Sequence, residues 1–273
     1  MPTYTVNSVN LAVVDRGRGL PVLLVHGFPL SHAMWNRQIE ALSPQYRVIA
    51  PDLRGFGQSG VTPGTVTMEQ FADDLAALLE AMEVGEPVVY AGLSMGGYIA
   101  WQFWRRHPGR LRALILCDTR AAADTPEAKA NRATTAERVL AEGPTVVVES
   151  MMPRLLAPAT LESRPDVVEA LRGIMMANDP RGIAAASRGM GQRPDMTAEL
   201  GRIRCPVLAL VGALDVISPP AEMRSMVQAM PDARLVEIPG AGHMSPIERP
   251  AETSAAMLEF LRSLAGSGTA TGS

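Results

Sequence analysis

The sequence predicts an α/β protein: a mostly parallel, doubly wound sheet that carries a helical insertion. Three observations predict it. Short apolar runs alternate with segments of helical spacing before residue 121 and again after residue 200, a pattern expected of parallel strands covered on both faces. Between those halves the strand signals fade and helix formers dominate. At the centre of the first half, Tyr90-Ala91-Gly92-Leu93-Ser94-Met95-Gly96-Gly97-Tyr98 sets a serine between glycines where an apolar run gives way to a helical one.

Taken in order, Tyr4 to Asn7 and Leu11 to Val14 predict two short antiparallel strands, and Asp15 to Gly19 breaks the pattern with two glycines. Pro21 to Val25 is a continuous apolar run that ends in the loop His26-Gly27-Phe28-Pro29. Helical spacing follows over Ser31 to Leu42, then a strand over Tyr46 to Ala50 and a loop from Pro51 to Ser59. Thr67 to Met82 predicts an amphipathic helix with Thr67 as cap, Gln70 three positions on, and Phe71, Leu75, Leu78 and Leu79 on one face. The strand Pro87 to Ala91 enters the serine turn. A helix from Met95 to Arg106 leaves it and stops at His107-Pro108-Gly109. Leu111 to Cys117 is the next strand, ending in Asp118-Thr119-Arg120.

Residues 121–200 are expected to form a helical cap inserted between two parts of one core, 1–120 and 201–264. Methionines recur there, at Met151, Met152, Met175, Met176, Met190 and Met196. Their flexible, polarizable side chains suit an adaptable pocket, and Met151 and Met175 are the candidate substrate-binding residues. Alternation resumes with the strand Pro206 to Val211, the loop Gly212 to Pro219 and a helix from Pro220 to Met230. The strand Arg234 to Ile238 leads into Pro239-Gly240-Ala241-Gly242-His243, and a helix over Pro250 to Leu264 follows. The Gly-, Ser- and Thr-rich stretch 265–273 is expected to be a disordered tail.

Composition removes several function classes. Among 273 residues, 47% are hydrophobic and 19% charged, an ordinary globular balance. A net charge of -3 with no long basic run gives no electrostatic case for nucleic acid. No stretch reaches the roughly 18 apolar residues of a membrane span, and the first residues lack a signal-peptide pattern, so a cytoplasmic protein without membrane partners is expected. The two cysteines, Cys117 and Cys205, read as small buried hydrophobes. Lys129 is the single lysine, which excludes a lysine-dependent Schiff base near Ser94.

Ser94 can act only with a partner. A strand that reverses into a helix within a few residues strains the residue at its tip and points that side chain outward. Gly92 and Gly96 allow the close approach this requires. A serine hydroxyl is a weak nucleophile until a base of near-neutral pKa takes its proton. Of the four histidines, His107 lies at the far end of the helix that starts after Ser94, roughly 20 Å away at 1.5 Å per residue. His26 and His32 belong to the first loop, where His26 shapes the backbone. His243 is left as the base. A carboxylate must orient it, and Asp215 follows a strand and lies between Ser94 and His243 in the chain. Asp118, which also follows a strand, is the substitute. The amides of Met95 and Phe28 are the candidate oxyanion donors.

These motifs together resemble the α/β-hydrolase family over essentially the whole chain: His26-Gly27-Phe28, Pro51-Asp52-Leu53-Arg54-Gly55-Phe56-Gly57, Gly92-Leu93-Ser94-Met95-Gly96-Gly97, Asp215 and Gly240-Ala241-Gly242-His243. Within it, the chain is similar to small bacterial carboxylesterases and cofactor-free perhydrolases. The resemblance implies hydrolysis of small or medium carboxylic esters through an acyl-enzyme, with no cofactor and no metal, and a structural role for Asp52 to Gly57. It also allows lactone hydrolysis, although 3-oxoadipate enol-lactonases resemble Asn-Ser-Leu-Gly where this chain has His26-Gly27-Phe28-Pro29. Pro29 raises a perhydrolase side activity with hydrogen peroxide in place of water. A pocket kept for binding alone is the reading of another class. The substrate partner is a small ester or lactone, and the oligomeric state, a homo-oligomer included, stays open.

Overall fold

A computed structural model describes residues 1–266. Its eight strands form one sheet in the order β1-β2-β4-β3-β5-β6-β7-β8, namely β1 (Thr3–Val6), β2 (Val9–Arg16), β3 (Pro21–Val25), β4 (Arg47–Pro51), β5 (Val88–Leu93), β6 (Leu111–Cys117), β7 (Val207–Gly212) and β8 (Ala233–Ile238). β2 runs antiparallel to β1 and β4. From β4 across to β8 every pairing is parallel.

Successive strand residues serve opposite faces, as the two-residue period of a strand requires. Leu23, Val25, Tyr90, Leu114, Leu116, Ala209 and Val211 pack in one cluster. Their neighbours Val22, Leu24, Val89, Ala91, Ile115, Leu208 and Leu210 pack in the other. On the second face lies α1 (Asn36–Leu42), and on the first lie α2 (Met68–Ala81) and α3 (Met95–Arg106). Burial on both faces explains why these strands read as unbroken apolar runs.

Residues 126–202 contain α4 (Pro126–Glu142), α5 (Thr145–Leu155), α6 (Pro158–Ser163), α7 (Pro165–Met176), α8 (Pro180–Gly191) and a 3-10 turn, Thr197–Arg202. They divide between the faces: α4 and α8 join the first cluster through Ala136, Val139 and Ile183, whereas α7 joins the second through Leu171 and Met175. Asn178 fastens them to the core. Its amide group donates to Pro29 O at 2.8 Å, and its side-chain oxygen accepts from Gly57 N at 2.8 Å. The chain closes with α9 (Pro220–Gln228), the short α10 (Ser245–Glu248) and α11 (Pro250–Gly266).

Several boundaries differ from the sequence expectation by one or a few residues, β2 by two at each end. The helix expected from Ser31 begins instead as a 3-10 turn over His32–Trp35, where Asp52 accepts from the His32 amide at 2.8 Å and contacts its ring at 2.7 Å. β5 runs through Gly92 to Leu93 because the ladder to β6 continues past the glycine. α11 reaches Gly266, two residues into the expected tail, and the rest of that tail, 267–273, lies outside the described residues. Cys117 is buried and Cys205 half-buried, both as free thiols. Among the described residues no helix is long and apolar enough to cross a membrane.

Candidate active site

Four neighbouring parallel strands end beside one another, and each is followed by a chemically capable residue. Ser94 follows β5, Asp118 follows β6, Asp215 lies just beyond β7 and His243 beyond β8. The carboxyl edge of such a sheet is where ligands bind in α/β proteins.

Ser94 has φ 54° and ψ -111°, a region that costs a side-chain-bearing residue on the order of 1–3 kcal/mol. The surroundings hold it there. Its amide donates to Cys117 O at 2.9 Å, and its carbonyl accepts from the Thr119 hydroxyl at 2.8 Å. Any Cβ at Gly92 would overlap the Gly96 carbonyl, and one at Gly96 would overlap the Val25 carbonyl, so the turn admits only glycine at both places. Met95 opens α3, so its amide is one of the first-turn N–H groups without an intrahelical acceptor. The loop bearing Phe28 comes close as well: a Cβ on Gly27 would stand 3.5 Å from Ser94 Cβ and 2.8 Å from Leu93 Cδ2.

His243 and Asp215 are paired by their side chains, with His243 Nδ1 2.8 Å from Asp215 Oδ2 and both residues buried. Asp215 Oδ1 accepts from the amides of Ile217 at 2.7 Å and Ser218 at 3.0 Å. Burial alone would raise this carboxyl, but the His243 ring and those two amides outweigh it and hold it below the usual carboxylate value. An ionised Asp215 fixes the His243 tautomer with its proton on Nδ1, which leaves Nε2 free to accept another.

Asp118 is engaged elsewhere. It accepts from Gly212 N at 2.7 Å and from the Ser245 hydroxyl at 2.6 Å. Burial first, and then the charge of Asp215, push its carboxyl well above the ordinary value. Donor atoms of Asp118, Asp215 and His243 lie within 4.8 Å of one another. Each carboxylate oxygen of the cluster already has an internal partner, so a metal ion would have to displace hydrogen bonds to enter it.

The other histidines have partners of their own, His32 in Asp52. His26 Nε2 accepts from Leu53 N at 3.0 Å while Nδ1 contacts Gly27 O at 2.9 Å, and burial lowers its pKa to about 4. This neutral ring joins the loop after β3 to the loop after β4. His107 contacts Asp73 at 2.8 Å at the distant end of α3. In the loop 52–59, Asp52 accepts from Gln58 N, and Arg54 pairs with Asp74 at 2.7 Å.

A cavity of about 550 Å³ lies over this edge, bounded by Phe28, Tyr98 and Arg120 from the loops and helix that follow β3, β5 and β6, by Val216 and Ile217 next to Asp215, and by α4 and α5. Ser94 is half-exposed and is not among its lining residues, so Phe28 is the contact between the cavity and the loop beside Ser94. Met151 lines this cavity. Met175 does not: it is completely buried with Met34, Trp35 and Leu171 on the second face. The phase of α7 turns it into the core.

Sequence reasoning missed Glu248. Its carboxylate accepts from Gly242 N at 2.7 Å and Ala157 N at 2.8 Å, joining the His243 loop to the start of α6, and Met244 N donates to Leu155 O at 3.1 Å beside it. Nothing in the local pattern separates this buried glutamate from the exposed ones around it. Arg120 and Arg154 of the cavity were missed for the same reason.

A family model described as alpha/beta hydrolase fold matches residues 21–250. The chain is 49% identical to a thermophilic esterase from Thermogutta terrifontis, solved with malate bound, with a TM-score of 0.94 over 96% of this chain and 98% of that one. It is 31% identical to the pimeloyl-[acyl-carrier protein] methyl ester esterase of Chromobacterium violaceum, over 94% of this chain and all of that protein. The enol-lactonase of Burkholderia xenovorans LB400 is 29% identical, with a TM-score of 0.89 over 96% of this chain and all of that structure.

Proposed function

This chain belongs to the α/β hydrolase fold family, and from that premise we propose that it is a serine hydrolase of small to medium carboxylic esters. One observation carries the reading: the buried hydrogen bond between His243 Nδ1 and Asp215 Oδ2, 2.8 Å long, on the same sheet edge as the strained Ser94 turn. Similarity to two esterases over nearly the whole chain supports it.

In this mechanism Ser94 Oγ attacks the ester carbonyl as its proton passes to His243 Nε2. Charge then develops on the carbonyl oxygen, and the amides of Met95 and Phe28 donate to it. The intermediate collapses, His243 returns the proton to the departing alcohol, and the acyl group stays on Ser94. Water then attacks the acyl carbon, His243 takes its proton, and the acid is released with Ser94 restored. Asp215 keeps its negative charge throughout and stabilises the imidazolium that forms in each half. No step calls on a metal or an organic cofactor.

A lactone is an ester closed into a ring, so the same groups would open one, and the similarity to an enol-lactonase supports that second reading. A panel of p-nitrophenyl esters and lactones of graded size separates the two. Wild type is expected to turn over p-nitrophenyl acetate, and Ser94→Ala to abolish that turnover. Activity that survives the substitution would remove Ser94 from the mechanism. Peracid formation from acetate and hydrogen peroxide tests the perhydrolase activity separately.

A further inference from the structure

Among the described residues, Arg154 is the unanswered charge in the cavity wall. The α5 residues that line the cavity, Val147, Ser150, Met151 and Arg154, recur at intervals of three and four, so they form one stripe along the helix. Two other arginines line the same space, each in an ion pair. Arg132 is 2.6 Å from Asp124, which also holds Arg193 at 2.8 Å, and Arg120 is 3.3 Å from Glu222. Both acids of the cavity lining are thereby taken. Arg154 is exposed and, among the described residues, has no carboxylate or carbonyl partner. In the same cavity lining, the Arg120 Nε–H is buried and, among the described residues, has no acceptor, a condition that costs free energy.

A guanidinium presents paired N–H donors in a rigid fork that matches a carboxylate. Beside it the α5 stripe is apolar, at Val147 and Met151. One free cation at the end of an apolar stripe suits a ligand that is mostly hydrocarbon and ends in a single negative charge.

We infer that the cavity selects esters bearing a second, non-reacting carboxylate, which Arg154 holds while the ester group reacts at Ser94. The inference rests on the serine-hydrolase reading and narrows its substrate class.

Two matched pairs of substrates test it. Mono-p-nitrophenyl adipate and its terminal carboxamide place the charge on the acyl side, and 4-acetoxybutanoate and its carboxamide place it on the alcohol side. Wild type is expected to favour the carboxylate in at least one pair by about tenfold in kcat/KM, the scale of a charge-assisted hydrogen bond in a cleft. Arg154→Gln is expected to collapse that ratio through KM, and Arg154→Lys to keep part of it. A melting curve for each variant reports any general loss of fold. Absence of a preference in both pairs, or a ratio that changes less than twofold in Arg154→Gln, would overturn the inference. If the carboxamides are hydrolysed without preference, the inference alone falls. If neither member of either pair is hydrolysed while p-nitrophenyl acetate is, the inference alone falls; if p-nitrophenyl acetate is untouched as well, the serine-hydrolase reading falls and takes the inference with it.

Discussion

His243 Nδ1 lies 2.8 Å from Asp215 Oδ2, while Asp118, the adjacent buried carboxylate, is bonded to Gly212 and Ser245. Two acids at neighbouring strand ends therefore have different partners. Asp215→Asn is expected to lower kcat by about 10³- to 10⁴-fold, because the carboxamide no longer selects the right tautomer or stabilises the imidazolium. Asp118→Asn is expected to stay within about tenfold of wild type. Its effect should appear in stability. The folded chain holds the Asp118 proton more tightly than the unfolded chain, so wild type loses stability as pH rises from the ordinary carboxylate value to the raised one. Asparagine does not titrate and tolerates the positive φ of 46° there. The variant is expected to be more stable than wild type at pH 8, with the difference closing toward pH 4, in denaturant titrations.

His26 gives the opposite slope. Its folded pKa of about 4 lies below the unfolded value of 6.5, so the unfolded chain binds the proton first as pH falls. Stability from this ring is complete above pH 6.5 and is lost progressively down to pH 4, an effect of about 3 kcal/mol. His26→Gln, which cannot titrate, is expected to be less stable at pH 7 and to approach wild type near pH 4. A gap between the two that is constant across that window would contradict the assignment.

The Arg54–Asp74 pair belongs to the scaffold. Arg54 Nε and Nη2 each donate to Asp74 at 2.7 Å, with both side chains almost fully buried. Asp74→Ala would strand the guanidinium, at a cost of about 3–5 kcal/mol. Folded protein at low temperature is expected to keep its turnover of p-nitrophenyl acetate, since the pair ties the loop after β4 to α2 and touches none of the reacting groups. A loss of turnover equal to that of Asp215→Asn would place the loop in the chemistry instead.

What the sequence made legible was set by short-range geometry. The Ser94 turn can be read from five residues because Gly92 answers to the Gly96 carbonyl within the turn itself, whereas Gly96 answers to the Val25 carbonyl of β3. The pairing of Asp215 with His243 is legible only through chain order, which leaves Asp118 open as the substitute; the side chains decide it, since Asp118 is bonded to Gly212 and Ser245. Helix phase is not visible in that way. Met151 and Met175 are the same residue type on α5 and α7, yet one lines the cavity and the other is buried in the core cluster that holds Trp35 and Leu171. Glu248 and Arg154 look alike in sequence, as charges near helix ends. Only packing separates the glutamate that closes on Gly242 and Ala157 from the arginine left open beside the cavity.

Covalent labelling of the intact chain with a fluorophosphonate, followed by peptide mass spectrometry, tests the central claim most directly. The expected result is one phosphonyl group per chain on the peptide carrying Ser94, formed rapidly in wild type and slowed at least about 10³-fold in His243→Ala. No label, or label on another residue at the same rate, would contradict the assignment of Ser94 as nucleophile and leave the cavity as a binding pocket.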